Sequence, residues 1–246
     1  LGMTEILMSS DLSERQTRLL GTIRKSGNAL LAIINDILDL SRIESGQLTV
    51  DDQEFDLRRQ VEGAVELLAE QAFRKGVELT LYIDDRIPER LRGDGGRLQQ
   101  VCVNLVGNAI KFTEKGGVDI NVVPIQGEDG QPRIHFEVRD TGIGIDAATQ
   151  ARLFKPFIQA DNSISRKFGG TGLGLSISRH IVEILGGKLT LESQAGTGTV
   201  IAYSLPLRAA SGPAAQAGAH WNAITGTRIL VVDDEPYIGR IIQLKL

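Results

Sequence analysis

The fold is decided by residues 98–113, which read LQQVCVNLVGNAIKFT and are followed by a Glu-Lys-Gly-Gly stop signal at 114–117. Asp94 precedes this run at the position of a helix N-cap, where a carboxylate accepts from the unpaired amides of the first turn. Apolar residues recur three or four positions apart, the spacing of one helix face, at Leu98, Val101, Leu105 and Ala109. The pattern therefore predicts an amphipathic helix of about four turns whose apolar face joins a core.

A second face of the same helix carries polar side chains. Asn104, Asn108 and Lys111 also lie three or four positions apart and share one stripe. A carboxamide oxygen is a hard neutral ligand that suits Mg²⁺, and a lysine ammonium neutralises phosphate oxygens. The stripe predicts a site for a metal-bound polyphosphate, and a solvated polar face is the alternative.

Glycine-rich strings accompany this helix. DTGIGI at 140–145 follows an alternating run, and GGTGLGL at 169–175 opens a further helical pattern. LFKPF lies between them at 153–157, and GTGT at 196–199 marks a tight turn. With the polar helix, these segments resemble the N, G1, F and G2 boxes of the histidine-kinase ATP-binding domain, whose fold is shared with the gyrase B subunit and the ninety-kilodalton heat-shock chaperone. The resemblance covers nearly all of residues 13–208, in the family's order.

An α/β class is indicated by the pattern of residues 51–208, the predicted ATP-binding domain. A helical spacing of apolar residues begins at Leu57 and ends at Ala72. Alternation of apolar and polar residues predicts strands at 77–83, 118–123, 134–138, 188–193 and 199–205. Polar residues on one side of these strands indicate helices on a single face of the sheet. This agrees with the two-layer α/β sandwich of the histidine-kinase and gyrase ATPase type that the resemblance implies.

Residues 1–50 have the pattern of a helical hairpin. Ser13 and Gln16 form a capping box for the second helix, which is expected to end before Gly46. Its apolar residues follow a heptad-like spacing and spread beyond it, so the helix needs partners on more than one side. The segment resembles the second helix of the dimerisation and phosphoacceptor domain, which implies a homodimer through a four-helix bundle. A monomeric hairpin packed on its own domain is the alternative.

The phosphoacceptor histidine of that family lies on the first helix of the hairpin, and the resemblance places it upstream of Leu1. The sequence is therefore expected to be a portion of a longer protein, truncated before that histidine. His135, His180 and His220 lie outside any matching motif and are expected to be structural or solvated. Nucleotide binding is expected of this sequence, and self-phosphorylation is not.

The resemblance also implies roles for the site residues. Asp140 would accept a hydrogen bond from the exocyclic amine of adenine, with an Asx turn into Gly142 as the alternative. Gly142 and Gly144 would let the backbone approach the base, and Asn108 would ligate Mg²⁺. The remaining expected ATP contacts are the catalytic pair Asn104 and Lys111, then Phe112, the helix-opening loop Gly170, Thr171, Gly172, Leu173 and Gly174, and the lid residues Arg166 and Lys167.

Asn104 separates two chemistries within this fold. The ATP hydrolases of the fold carry a glutamate at the matching position as general base for water. An asparagine cannot accept a proton at neutral pH. The site is therefore predicted to present ATP to an external nucleophile, a histidine imidazole, which needs no such base.

The last part of the sequence changes composition. Ala, Gly, Ser and Pro dominate residues 209–226 and predict a flexible linker, in which Trp221 has no assigned role. RILVVDDEP at 228–236 resembles the first strand of a response-regulator receiver domain, so residues 227–246 are expected to be its truncated start. The expected partners are ATP, a second copy of the chain, and a receiver domain of the parent protein or a separate response regulator.

Composition sets the remaining bounds. The net charge is −4 and long basic runs are lacking, so nucleic-acid binding is not expected. The single cysteine, Cys102, excludes an internal disulfide, and no apolar run approaches the roughly 20 residues of a membrane span. A cytoplasmic location is expected, with any membrane anchor of the parent protein outside this sequence. The predicted function is the catalytic portion of a sensor histidine kinase in two-component signalling, and the alternative is an inactive module that heterodimerises through its hairpin.

Overall fold

The computed structural model describes residues 2–10, 12–154 and 172–210. The predicted lid, most of the linker and the predicted receiver start lie outside the described residues. The helices are α1 (Gly2–Met8), α2 (Glu14–Glu44), α3 (Leu57–Lys75), α4 (Gly95–Phe112), α5 (Ala147–Gln150) and α6 (Gly174–Ile184). The strands are β1 (Gln53–Asp56), β2 (Val77–Ile83), β3 (Arg90–Gly93), β4 (Gly116–Gln126), β5 (Pro132–Asp140), β6 (Lys188–Gln194) and β7 (Gly198–Pro206).

The first two helices form the predicted hairpin. Both halves of the capping box are present, because the Ser13 side chain accepts from the Gln16 amide and the Gln16 side chain accepts from the Ser13 amide. After 31 residues α2 ends at Ser45, and Gly46 follows with φ of 65°. A series of large apolar side chains along α2 is exposed: Leu19, Ile23, Leu30, Leu31, Ile34, Ile37 and Leu38. In the described ranges, no helix combines the length and the apolar composition needed to cross a membrane.

Five strands form the main sheet, in the order β2-β4-β5-β7-β6. β2 and β4 are parallel, which requires the crossover through β3 and α4, and the other neighbours are antiparallel. The register sets Asp140 opposite Thr199 at one end of β5 and β7. The chain thus brings the start of the DTGIGI string beside the GTGT turn at 196–199.

α3, α4 and α6 pack on one another and on the sheet to form one core. The predicted apolar face of α4 is buried, with Leu98, Val101, Leu105 and Ala109 at most 5% exposed. Asp94 caps α4 as expected, since its side chain accepts from the Arg97 amide. The predicted two-layer α/β sandwich is confirmed.

The pattern of apolar residues missed a second, two-stranded sheet formed by β1 and β3. Each of these strands has four residues, and their sequences, QEFD and RLRG, are too short and too charged to show a period of two. α4 ends before the expected stop signal at 114–117. Gly116 and Gly117 also belong to β4, which begins two residues before the expected strand at 118–123, and they pair with the first residues of β2.

The end of α2 lies against the first turns of α4. Asp39 and Leu40 are buried there. The Asp39 carboxylate accepts from Arg97 Nη1 at 3.0 and 2.9 Å and from Gln100 Nε2 at 2.8 Å. A partly buried ion pair and a further hydrogen bond therefore join the hairpin to the first turns of α4.

Candidate functional site

The polar stripe of α4 faces α6. Asn104 Nδ2 donates to Ser178 Oγ at 2.7 Å, and Asn108 Nδ2 donates to Asn104 Oδ1 at 3.3 Å. This relay fixes both carboxamide planes. The Asn108 nitrogen is therefore engaged by Asn104.

The start of α6 lies directly on this relay. A Cβ atom on Gly174 would fall 2.3 Å from Asn104 Oδ1, so only glycine allows the helix to begin so close to α4. Leu173 is buried and occupies the N-cap without a side-chain hydrogen bond to the first turn. Gly172 has φ of 73°, a left-handed conformation that favours glycine. The first amides of α6, a ready site for an anion, are thus next to the two asparagines.

Asp140 ends β5 with a half-buried carboxylate. Its Oδ1 accepts from the Gly142 amide at 2.8 Å, so the Asx turn considered from the sequence is present. The Thr199 amide also donates to this carboxylate. Desolvation by burial raises the pKa of Asp140, and the hydrogen bonds from Gly142 and Thr199 oppose that rise. The turn and a role in base recognition are compatible, since a carboxylate has about four acceptor positions.

The packing of the backbone explains why positions 142 and 144 are glycines, which the sequence did not reveal. A Cβ on Gly142 would lie 2.5 Å from the Phe112 carbonyl oxygen, and one on Gly144, where φ is 63°, would lie 1.9 Å from the Gln194 carbonyl oxygen. The Ile143 amide donates to the same Phe112 oxygen at 3.3 Å. The DTGIGI loop is therefore wedged between the end of α4 and the β6–β7 turn, and the protein backbone by itself explains both glycines.

Lys111 and Phe112 form the last turn of α4. The Lys111 ammonium lies 4.8 Å from the centroid of the Phe112 ring, a cation–π contact. Burial lowers the pKa of Lys111 by desolvation. Lys75, at the end of α3, donates to the carbonyl oxygens of Ile110 and Lys111 at 2.7 and 2.6 Å. The two side chains expected to meet the nucleotide thus extend from a helix end that another helix holds.

Some predicted residues cannot be placed. Arg166, Lys167, Gly170 and Thr171 lie outside the described residues, as does most of the F-box string after Phe154. The described members of the predicted site, by contrast, come together on the C-terminal half of α4, the start of α6 and the loop after β5.

Three residues of this site were missed by the sequence analysis. Ser178 orients Asn104, Lys75 holds the end of α4, and Thr199 donates to Asp140. Each lies far along the chain from the residue that it contacts, so no local spacing could identify it. Among the described residues, no group of three or more His, Cys, Asp or Glu side chains is arranged to hold a metal ion.

The histidines and the cysteine among the described residues make contacts typical of structural side chains. His135 Nδ1 lies 3.1 Å from Ser204 Oγ, and His180 Nδ1 lies 2.8 Å from the Ser176 carbonyl oxygen. Cys102 is buried against Tyr203, and burial raises the pKa of its thiol to about 11. A thiol that stays protonated at neutral pH is a poor nucleophile.

Comparison with known proteins agrees with this geometry. Residues 93–209 match the family described as histidine kinase-, DNA gyrase B- and HSP90-like ATPase, and residues 1–46 match the His Kinase A (phospho-acceptor) domain. The signal transduction histidine-protein kinase BarA of Escherichia coli K12 is 45% identical over 207 residues, which cover 84% of this chain and 22% of that protein. The hybrid signal transduction histidine kinase L of Dictyostelium discoideum is 42% identical over 209 residues, 85% of this chain and 12% of that protein.

A solved structure gives the same result. Full-length ShkA in complex with AMPPNP has a TM-score of 0.70 and 31% identity, over 87% of this chain and 43% of that one. The chain spans about a fifth of the length of BarA, 22%. The chain thus has a phosphoacceptor-domain segment followed by a histidine-kinase-type ATPase segment, and it is similar to histidine kinases over both. It belongs to the sensor histidine kinase family.

Proposed function

We propose that this chain is the ATP-binding catalytic portion of a hybrid sensor histidine kinase, which transfers the γ-phosphoryl group of Mg-ATP to a histidine. The observation that carries the proposal is the contact of Asn104 with both Asn108 and Gly174, which joins the polar stripe of α4 to the start of α6. This places amide oxygens and helix-terminal amides on one side of a buried core, as a metal-bound polyphosphate requires.

Mg²⁺ would be held by Asn108. Its Nδ2 is engaged by Asn104, so the carboxamide oxygen is the atom oriented to meet a cation. A hard divalent ion of this kind is usually held by one or two protein oxygens together with phosphate oxygens and water. This fits a site whose described residues lack a cluster of carboxylates and histidines.

Asn104 and Lys111 would act on the phosphates by position and charge. The bond between the γ-phosphorus and the β–γ bridging oxygen would break as a bond from an imidazole nitrogen to phosphorus forms, leaving ADP. Lys111 would neutralise charge on the phosphate oxygens. Asn104 offers no base for water, because its side chain is a carboxamide bonded to Ser178 and Asn108.

The adenine base would bind beside Asp140, at the loop that touches the end of α4. The remaining phosphate contacts are proposed to come from the lid residues Arg166 and Lys167 and from the loop Gly170, Thr171, Gly172, Leu173 and Gly174.

The exposed apolar side chains of α2 support a homodimer through the hairpin, because an unpaired helix does not keep so many of them in water. The proposed ATP-binding domain is residues 51–208. The linker is residues 209–226, and the start of a receiver domain is residues 227–246. A receiver domain is the proposed acceptor of the phosphoryl group from the histidine. The inactive-module alternative is not favoured, because the chain has Asn104, Asn108 and Asp140, the residues that the proposed site requires.

Two measurements test the proposal. Titration calorimetry on residues 1–246 should show binding of ATP that is strengthened by Mg²⁺. Incubation with γ-labelled ATP and a separately supplied hairpin that carries the phosphoacceptor histidine should give acid-labile label on the hairpin and none on the chain.

A hairpin with glutamine in place of that histidine is the matched control and should stay unlabelled. Absence of ATP binding would overturn the proposal. Acid-labile label on His135, His180 or His220 would overturn the expected division between the catalytic portion and its acceptor.

A further inference from the structure

The last four carbonyl oxygens of α4 all accept hydrogen bonds, either from the C-cap residue or from other parts of the chain. A helix leaves its last four carbonyl oxygens without intrahelical partners. Here the Ala109 oxygen accepts from the Thr113 amide at 3.1 Å and from its hydroxyl at 2.8 Å, and the Phe112 oxygen accepts from the Ile143 amide at 3.3 Å. The oxygens of Ile110 and Lys111, between these two, both accept from Lys75.

The position and charge of Lys75 favour its hydrogen bonds to the end of α4. It is the last residue of α3, and the left-handed Gly76, with φ of 70°, ends the helix immediately after it. Its Nζ lies 2.7 Å from the Ile110 oxygen and 2.6 Å from the Lys111 oxygen, in a partly buried setting. Charged hydrogen bonds of this length are stronger than neutral ones, and a cation at a helix C-terminus also interacts favourably with the helix dipole.

We propose that Lys75 is a positioning residue of the nucleotide site, which fixes the last turn of α4 so that Lys111 and Phe112 face the bound ATP. This inference rests on the proposed function. Lys111 and Phe112 leave the helix from the turn that Lys75 holds, and the Lys111 ammonium is already placed over the Phe112 ring. Without Lys75 the two carbonyl oxygens lose this donor, and the turn is free to move toward water.

The asparagines do not depend on Lys75 in the same way. Asn104 and Asn108 lie within α4 and are tied to Ser178 and to each other. Loss of Lys75 should therefore weaken the contacts of the phosphates and base with Lys111 and Phe112, while the response of binding to Mg²⁺ is kept. This separates a positioning role from a general loss of the fold.

The test is calorimetric binding of ATP, with and without Mg²⁺, to the wild-type chain and to Lys75→Met, Lys75→Arg and Arg74→Met. Lys75→Met should raise the Kd for Mg-ATP about tenfold, as expected for partial loss of charged hydrogen bonds. Lys75→Arg should recover most of the affinity, because a guanidinium also donates to two oxygens. Arg74→Met is the matched control, since its side chain is 75% exposed and forms an ion pair with Glu70 on the same helix. The Kd of this variant should change less than about twofold.

A double-mutant cycle completes the experiment. If Lys75 acts through Lys111 and Phe112, adding Lys75→Met to a chain that carries both Lys111→Ala and Phe112→Ala should change the Kd by less than about twofold, because the shared effect is already lost. A full tenfold change in that background would overturn the inference, as would wild-type affinity in Lys75→Met or an equal loss in Arg74→Met.

Circular dichroism shows whether each variant is folded. Should Lys75→Met fail to fold, Lys75→Gln takes its place in the same cycle, because its polar side chain is neutral and one bond shorter, so that it removes the charge and the reach to the two oxygens. Wild-type chain that does not bind ATP would overturn the proposed function and this inference together. Wild-type chain that binds ATP beside a Lys75→Met variant of equal affinity would overturn this inference alone.

Discussion

The base-recognition role proposed for Asp140 gives a prediction with a definite magnitude. In ATP the exocyclic amine of adenine would donate to the carboxylate, whereas GTP would present a carbonyl oxygen at the same place. Two acceptors would then face each other without a proton between them, in a half-buried site. A buried polar group left without a partner costs about 1–3 kcal/mol, so ATP should be preferred over GTP by roughly ten- to a hundredfold.

Asp140→Asn tests this role directly. The carboxylate already accepts from the amides of Gly142 and Thr199. A carboxamide has one oxygen to serve both, so ATP affinity should fall, but its NH₂ group can donate to the guanine carbonyl. The ratio of ATP to GTP affinity should therefore shrink by about tenfold or more. Competition calorimetry with both nucleotides measures the ratio, and an unchanged ratio would refute the reasoning and leave Asp140 as a turn residue only.

The pH dependence of binding offers a second measure of the same residue. Burial raises the pKa of Asp140 above its ordinary value. The ionised carboxylate is the better acceptor, so ATP affinity should fall as the pH is lowered through this raised pKa, beginning above the pH of about 4 expected for an exposed aspartate. Asp140→Asn has no such group and should lack this part of the profile, so an identical acid limb in both proteins would assign the limb to another residue.

Three further predictions concern the metal, the hairpin and its dimer. Asn108→Ala should weaken ATP binding in the presence of Mg²⁺ far more than in its absence, because the lost oxygen matters only when the ion is present; calorimetry with and without the metal checks this, and an equal loss would exclude Asn108 as a ligand. Asp39→Ala should lower the free energy of unfolding, measured from the urea midpoint, by about 2 kcal/mol, because it leaves the largely buried Arg97 without its carboxylate. The control Glu62→Ala removes an exposed carboxylate that pairs with Arg58 on α3, and it should change the free energy of unfolding by about 0.5 kcal/mol or less. Leu30→Glu, at a side chain that is 58% exposed, should shift sedimentation from dimer to monomer, and a wild-type chain that sediments as a monomer would contradict the proposed dimer.

The glycines of the DTGIGI string show where prediction from sequence was right about the place and incomplete about the reason. The resemblance implied that this loop shares a site with α4, and the Ile143 amide of the loop does donate to the Phe112 oxygen at the end of α4. The sequence attributed both glycines to the approach of a base, but the space for their Cβ atoms is taken by the Phe112 and Gln194 carbonyl oxygens. Only the packed backbone reveals that contact, because neither oxygen is near its glycine along the chain.

The sequence by itself determined the features that depend on short spacings. The capping box at Ser13, the N-cap at Asp94, the buried face of α4 and the five strands of the main sheet all follow from residues within a few positions of one another, where helix and strand geometry act directly. Such signals fail for β1 and β3, since four residues are too few to show a period.

Tertiary structure alone decided which side chains complete the site. Ser178 meets Asn104 across 74 positions, and Lys75 meets the end of α4 across 35 or 36. A serine in a helix and a lysine at a helix end are common in any sequence, and nothing local distinguishes these two. Their roles arise from the packing of α3 and α6 on α4. This packing places the Ser178 hydroxyl beside the Asn104 carboxamide, and the Lys75 ammonium beside two carbonyl oxygens that have no partner within the helix.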